Sequence, residues 1–294
     1  MNGQFDVVGI RPTPHSPVVR AKKRYRGKPV LSAVLLALIV SGCLFCRLVM
    51  TKDPTYMDLA HCGVGPNREF LFGTDSMGRD IFSMIWYGGR LSLFIGAASA
   101  MISAAIAIVF GALSGCAPAW LDSLLMRLTE LLLSVPSLLV IVLLQAALGK
   151  PNALSISFVI GVTSWPGMAK VVRTQVRQIR SSEYILAARC MGGSFFYILW
   201  RHLAPNFISS IMFMAVMNVR SAIAAESALS FMGLGLPLEV ITWGSMLSLS
   251  ERALLTGAWW IILIPGGFLT TALLCITELG NLLRKNSNRK ESNL

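Results

Sequence analysis

The sequence predicts an all-α protein that crosses a lipid bilayer six times, and three observations carry the prediction. The 294 residues are 54% hydrophobic and only 14% charged, against about 25% charge in an ordinary soluble domain. Six mainly apolar stretches reach the roughly 20 residues with which a helix spans about 30 Å of hydrocarbon. These stretches are continuous rather than alternating, which argues against a transmembrane barrel. The same composition excludes disorder, because chains that fail to collapse are poor in hydrophobic residues and rich in net charge.

The elements follow in order. A basic tail, 1–29, precedes a first span at 30–50. An extracytoplasmic loop, 51–89, is expected to hold an interfacial helix, with Gly63, Gly65 and Pro66 supplying turns. Residues 90–283 then form a five-helix core with spans near 91–115, 124–148, 154–172, 207–231 and 258–283, and 284–294 is a second basic tail. Gly111 and Gly115 make a G-x-x-x-G, which lets a neighbouring helix approach closely. Pro136, Pro166 and Pro265 lie within spans and are expected to bend them. A long basic loop, 173–206, separates the fourth and fifth spans. Residues 233–255, rich in Gly, Pro and Trp, are expected to turn at the membrane surface.

Orientation follows from the basic residues, which are retained on the cytoplasmic side. Of 26 Lys and Arg, 18 fall on the side of the amino-terminal tail, seven fall opposite, and Arg220 lies within a span. Both termini are therefore expected inside. The asymmetry accounts for the net charge of +12 without nucleic acid as a partner. The six cysteines are scattered and make no disulfide framework. Cys43 and Cys46 form a C-x-x-C inside an apolar run, with no second pair or histidine cluster. They read as small helix residues rather than a metal site.

The chain carries no G-x-x-x-x-G-K-[ST] phosphate loop, no H-E-x-x-H and no G-x-S-x-G. It is expected to be no enzyme and to bind no cofactor or metal itself. The informative piece is the basic loop, which reads EYILAARCMGGSFFYILWRHLAPN from Glu183 to Asn206. Ala187, Ala188 and Gly192 give its first half a small-residue face, Gly192 and Gly193 interrupt it, and Pro205 stops the second turn before the next span. A short rigid helix with such a face is suited to dock into a cleft of another protein and pass on its motion.

This stretch resembles the loop of binding-protein-dependent ABC importer permeases, in which E-A-A is followed by three residues, Gly, and nine residues on by I-x-L-P. Ala187, Ala188, Gly192 and Pro205 fall at the matching spacing. Leu186 stands where the family has Glu, and Ala204 where it has Leu; Glu183 lies one turn earlier, placed to take part of that carboxylate's role. Further blocks are similar to the dipeptide, oligopeptide and nickel permease branch: LFGTDSMGRDIFSMIWYGGRLSL from Leu71, WPGMAKVVRTQV from Trp165, ESALSFMGLGLP from Glu226 and WGSML from Trp243.

The resemblance implies a type I ABC importer permease fold in the bacterial inner membrane. It also implies pairing with a second homologous permease, two cytoplasmic ATPases that hold ATP and Mg, and an extracytoplasmic solute-binding protein. Glu183, Leu186, Ala187, Ala188, Gly192 and Pro205 would then form the ATPase-coupling helix. Di- or oligopeptides are the first expectation for the cargo, and nickel or a metal chelate the second. An ion-coupled secondary transporter is the rival of another class; it would show internal repeats or broken helices with ion-binding acids, and it needs no docking helix.

Two groups of charges remain. A cation inside a span costs about 2.5–3.5 kcal/mol even on insertion scales, so it should face protein or water. Arg220 and Glu226 are the candidates for the translocation path, with Arg220 meeting substrate carboxylates; the alternatives are a structural pair of Arg220 with an acid on another span, or a shallower position of Arg220. Asp75, Arg79 and Asp80 beside a predicted helix start read either as a contact with the extracytoplasmic partner or as a capping and ion-pair network, and the second reading is favoured.

Overall fold

The computed structural model describes residues 28–180, 204–237, 239–249, 253 and 257–291. Among these the regular structure is helical apart from one isolated β-bridge, Thr74 to Asp80. Helix α1, Lys28–Leu44, has Pro29 in its first turn, where a missing N–H costs nothing. After one break at Phe45 the chain resumes as α2, Cys46–Val49. Cys43 and Cys46 are buried free thiols.

Helix α3, Ile81–Cys116, is 36 residues long, or about 54 Å at 1.5 Å per residue. It starts well before residue 90, so the loop predicted over 51–89 is shorter, and its one helical piece is a single 3₁₀ turn at Leu59–His61. The start is moved by Asp80, whose carboxylate accepts from the Ser83 backbone N–H at 3.0 Å as an N-cap.

Helix α4, Ala119–Ser134, and helix α5, Ser137–Leu148, meet at a bend of 90°. This corrects the continuous third span expected at 124–148. Pro136 offers no N–H to a continuing helix, and its ring holds Val135 extended at ψ 133. Pro166 and Pro265, by contrast, lie inside unbroken helices.

Helix α6, Ala153–Arg180, runs eight residues beyond its predicted span end, so residues 173–180 of the expected basic loop are helical. No breaker interrupts these residues, and Val172 and Val176 are fully buried, so packing carries the helix out of the apolar run. Helix α7, Ala204–Phe231, starts with Pro205 in its first turn. It is closed by Leu234 N–H to Leu229 O at 2.9 Å and by Gly233 at φ +73, a left-handed helix end. A short α8, Trp243–Ser248, and a long α9, Trp260–Glu291, complete the described elements.

By length and composition, α3, α6, α7 and α9 each suffice to cross a membrane; the bent α4–α5 pair has the form of a broken span or a re-entrant loop, and α1 is a shorter apolar helix. The six predicted apolar runs are thus all helical. The most extensive helix contact is α3 against α6. It rests on small residues: a Cβ at Gly111 would lie 2.6 Å from Ala169 O, one at Gly115 2.8 Å from Val176 Cγ1, and one at Gly161 2.7 Å from Ile102 Cβ. Close backbone approach along the whole length is the device by which helices associate where apolar burial gives no net drive. A second core gathers α1, α3, α7, α8 and α9 around Trp243, which is fully buried. Its indole N–H donates to Ile85 O and its backbone N–H to Ser92 Oγ, both at 3.1 Å.

Candidate functional site

Glu226 sits on the buried face of α7. Ser230 Oγ and Thr242 Oγ1 donate to its Oε1 at 2.9 and 2.8 Å, and Ser227 Oγ lies 3.5 Å from Oε2. Thr242 is at the same time the N-cap of α8, in a reciprocal capping box with Ser245. Gly244 lets the α8 backbone lie directly on α7, since a Cβ there would be 2.6 Å from Ser227 Cα. The acid therefore ties α8 to α7, and Glu226 is fully buried.

Arg220, one and two-thirds turns earlier on α7, is placed differently. It is half-buried, its Nε is buried without a hydrogen-bond partner, and among the described residues no carboxylate pairs with it. Two residues before it, Asn218 Nδ2 donates to Ser103 Oγ on α3 at 2.9 Å. Arg220 and Glu226 do not meet: the acid belongs to the packed side of α7, and the cation keeps a buried Nε without an acceptor.

Asp75, Arg79 and Asp80 are brought together, each 3% exposed. Asp75 Oδ1 accepts from the Met77 and Arg79 backbone N–H groups at 2.8 Å, and its Oδ2 accepts from Arg79 Nε at 2.8 Å. Asp80 accepts from Ser83 Oγ at 2.6 Å and from Thr51 Oγ1 at 3.2 Å, joining the α3 start to the residues after α2. The turn between them requires Gly78 at φ +75, where a Cβ would collide with Asp58 O. Outside it, His61 Nδ1 lies 2.7 Å from Asp58 Oδ2, and this bond holds the Asp58 carboxyl below its ordinary range. Lys52 does the same for Glu69.

Of the coupling residues, Glu183, Leu186, Ala187, Ala188 and Gly192 lie outside the described residues, and Pro205 is in the first turn of α7. Immediately before that stretch the structure shows a cluster the sequence did not single out. Asp122 on α4, 4% exposed, accepts from Arg173 Nε and Nη2 at 2.5 Å each, from Arg177 Nη2 at 2.7 Å and from Ser114 Oγ at 2.6 Å. Arg180 Nη1 donates to Cys116 O at 2.9 Å. The available signal was the four-residue spacing of Arg173 and Arg177, which puts both on one helix face. Among the described residues no group of three His, Cys, Asp or Glu side chains converges as a metal site would.

The chain is 38% identical over 219 residues to the dipeptide transport system permease protein DppC of Bacillus subtilis, covering 74% of this chain and 68% of that one. It is 34% identical over 266 residues to the oligopeptide transport system permease protein OppC of the same organism, covering 90% of this chain and 87% of the relative. A family model described as the inner membrane component of binding-protein-dependent transport systems matches residues 107–284, from the last third of α3 to Arg284 in α9. With a helical bundle of apolar spans and a family match over more than half its length, the chain belongs to the binding-protein-dependent transport system inner membrane components.

Proposed function

We propose that this chain is one of two homologous transmembrane subunits of an ATP-driven importer for di- or oligopeptides. Two cytoplasmic ATPases hold ATP and Mg, an extracytoplasmic binding protein delivers the cargo, and this chain makes half of the path and no chemical bond. The observation that carries the reading is the likeness to peptide permeases over nine-tenths of the chain. Both termini are inside, so that α6 leads into the ATPase-docking stretch holding Glu183, Leu186, Ala187, Ala188 and Gly192, and Pro205 opens the helix that leaves it. Arg220 faces the path, Glu226 holds α8 on α7 beside it, and Asp75, Arg79 and Asp80 shape the outer start of α3. Work is done by differential binding of the ATPases to two states of the bundle.

The test is uptake into proteoliposomes holding the permease pair, the ATPases and the binding protein, with a labelled dipeptide and a labelled nickel chelate as probes. Peptide uptake that needs ATP is the expected result. Uptake of the nickel chelate alone would move the chain to the metal branch. Uptake driven by an ion gradient, without ATPases, would assign it to secondary transport.

A further inference from the structure

Helices α3 and α6 are already held along their length by small-residue packing, so the charged knot at their ends is not what pairs them. What it adds is direction. Arg173 grips Asp122 with a two-pronged guanidinium, which fixes orientation as well as distance. Arg177 binds the same carboxylate one turn on, and Arg180 binds Cys116 O at the end of α3. Lys170 lies 3.4 Å from Glu130 on the far part of α4. The last eleven residues of α6 are therefore pinned to α4 and to the α3–α4 corner, while α5, turned 90° away at Val135–Pro136, packs on the other end of α6, where Ile141 joins Ile156 and Ile160 in one core.

We propose that Asp122 is a positioning residue of the transport cycle. Through Arg173 and Arg177 it makes the end of α6, the α3–α4 corner and α4 one rigid body, so that displacement of the segment after Arg180 reaches the bundle. The inference rests on the reading that this segment is moved by the ATPases.

The experiment compares wild type with Asp122→Asn in the complete reconstituted importer, measuring uptake and ATP hydrolysis together. Loss of the joint is expected to lower peptide taken up per ATP by about fivefold or more, while hydrolysis stays near wild type. Arg173→Lys, which keeps the charge and loses the fork, is expected to fall between the two and carries the test if Asp122→Asn does not assemble. Spin labels at the exposed positions 120 and 174 should keep one distance with and without trapped ATP in wild type, and a broadened one in the variants. An unchanged ratio of uptake to hydrolysis in an assembled variant overturns the inference alone; ATP-independent uptake by wild type overturns the reading beneath it.

Discussion

The hydroxyl of Thr242 donates to the carboxylate of Glu226 at 2.8 Å across a chain reversal of sixteen residues. Ser230 uses the same oxygen at 2.9 Å. This acid is therefore an acceptor for hydroxyls, and what it needs to supply is an oxygen in that place. Glu226→Gln retains one and is expected to leave thermal unfolding of the detergent-solubilised importer nearly unchanged. Glu226→Leu strands buried hydroxyls at about 1–3 kcal/mol each, and a clear fall in melting temperature is expected. Equal instability of the two variants would show that the acid does something else.

Arg79 and Asp75 form a pair with almost no solvent at either end. Removing one partner from such a pair costs about 3–5 kcal/mol, because the other charge stays buried. Arg79→Met is expected to lose that much. The double change Asp75→Leu with Arg79→Met should recover part of it but not all, since the Met77 and Arg79 backbone N–H groups also depend on Asp75. Denaturation of the two variants and of wild type measures the difference; a double variant no better than Arg79→Met contradicts the argument.

Close approach of α3 and α6 makes a comparison of two glycines informative. A methyl group at Gly111 would lie 2.7 Å from Val172 Cβ, whereas one at Gly167, in the middle of α6, meets nothing within 4 Å. Gly111→Ala is expected to cost about 1–3 kcal/mol through overpacking. Gly167→Ala should be neutral or gain up to about 1 kcal/mol, because glycine weakens a helix interior. Similar effects of both substitutions on thermal stability would mean that the helices tolerate separation there.

What the sequence made legible was the apolar content: each predicted span is helical, and the G-x-x-x-G at Gly111 and Gly115 does face a second helix. It failed where hydropathy and helix ends part company. Residues 173–180 carry charge and so read as loop, yet a helix need not stop where hydrocarbon does, and the buried Val172 and Val176 keep it going. A proline within an apolar run can bend or break a helix; Pro166 does not break α6 and Pro136 separates α4 from α5, and the apolar pattern around the two does not tell them apart. Asp122 went unnoticed because its two arginines lie 51 and 55 residues along the chain. The buried pairing of Asp75 with Arg79 was legible because both partners are local, four residues apart.

Arg220 lies in a span with a buried Nε that finds no acceptor among the described residues. Glu226 is occupied elsewhere, and no other carboxylate among the described residues pairs with Arg220, which leaves the cargo and the second permease as two sources of a counter-charge to be told apart. These sources are separable with peptides that differ only at the carboxyl terminus. A charge-assisted hydrogen bond is worth about 1.5–3 kcal/mol, roughly a tenfold to hundredfold effect. Arg220→Gln is therefore expected to assemble normally and to slow uptake of a free-acid dipeptide by about tenfold, while hardly changing uptake of its carboxyl-amidated analogue. If Arg220 instead pairs with an acid of the second permease, Arg220→Gln should weaken co-purification of the two subunits and slow both peptides alike, and the cargo role is then lost.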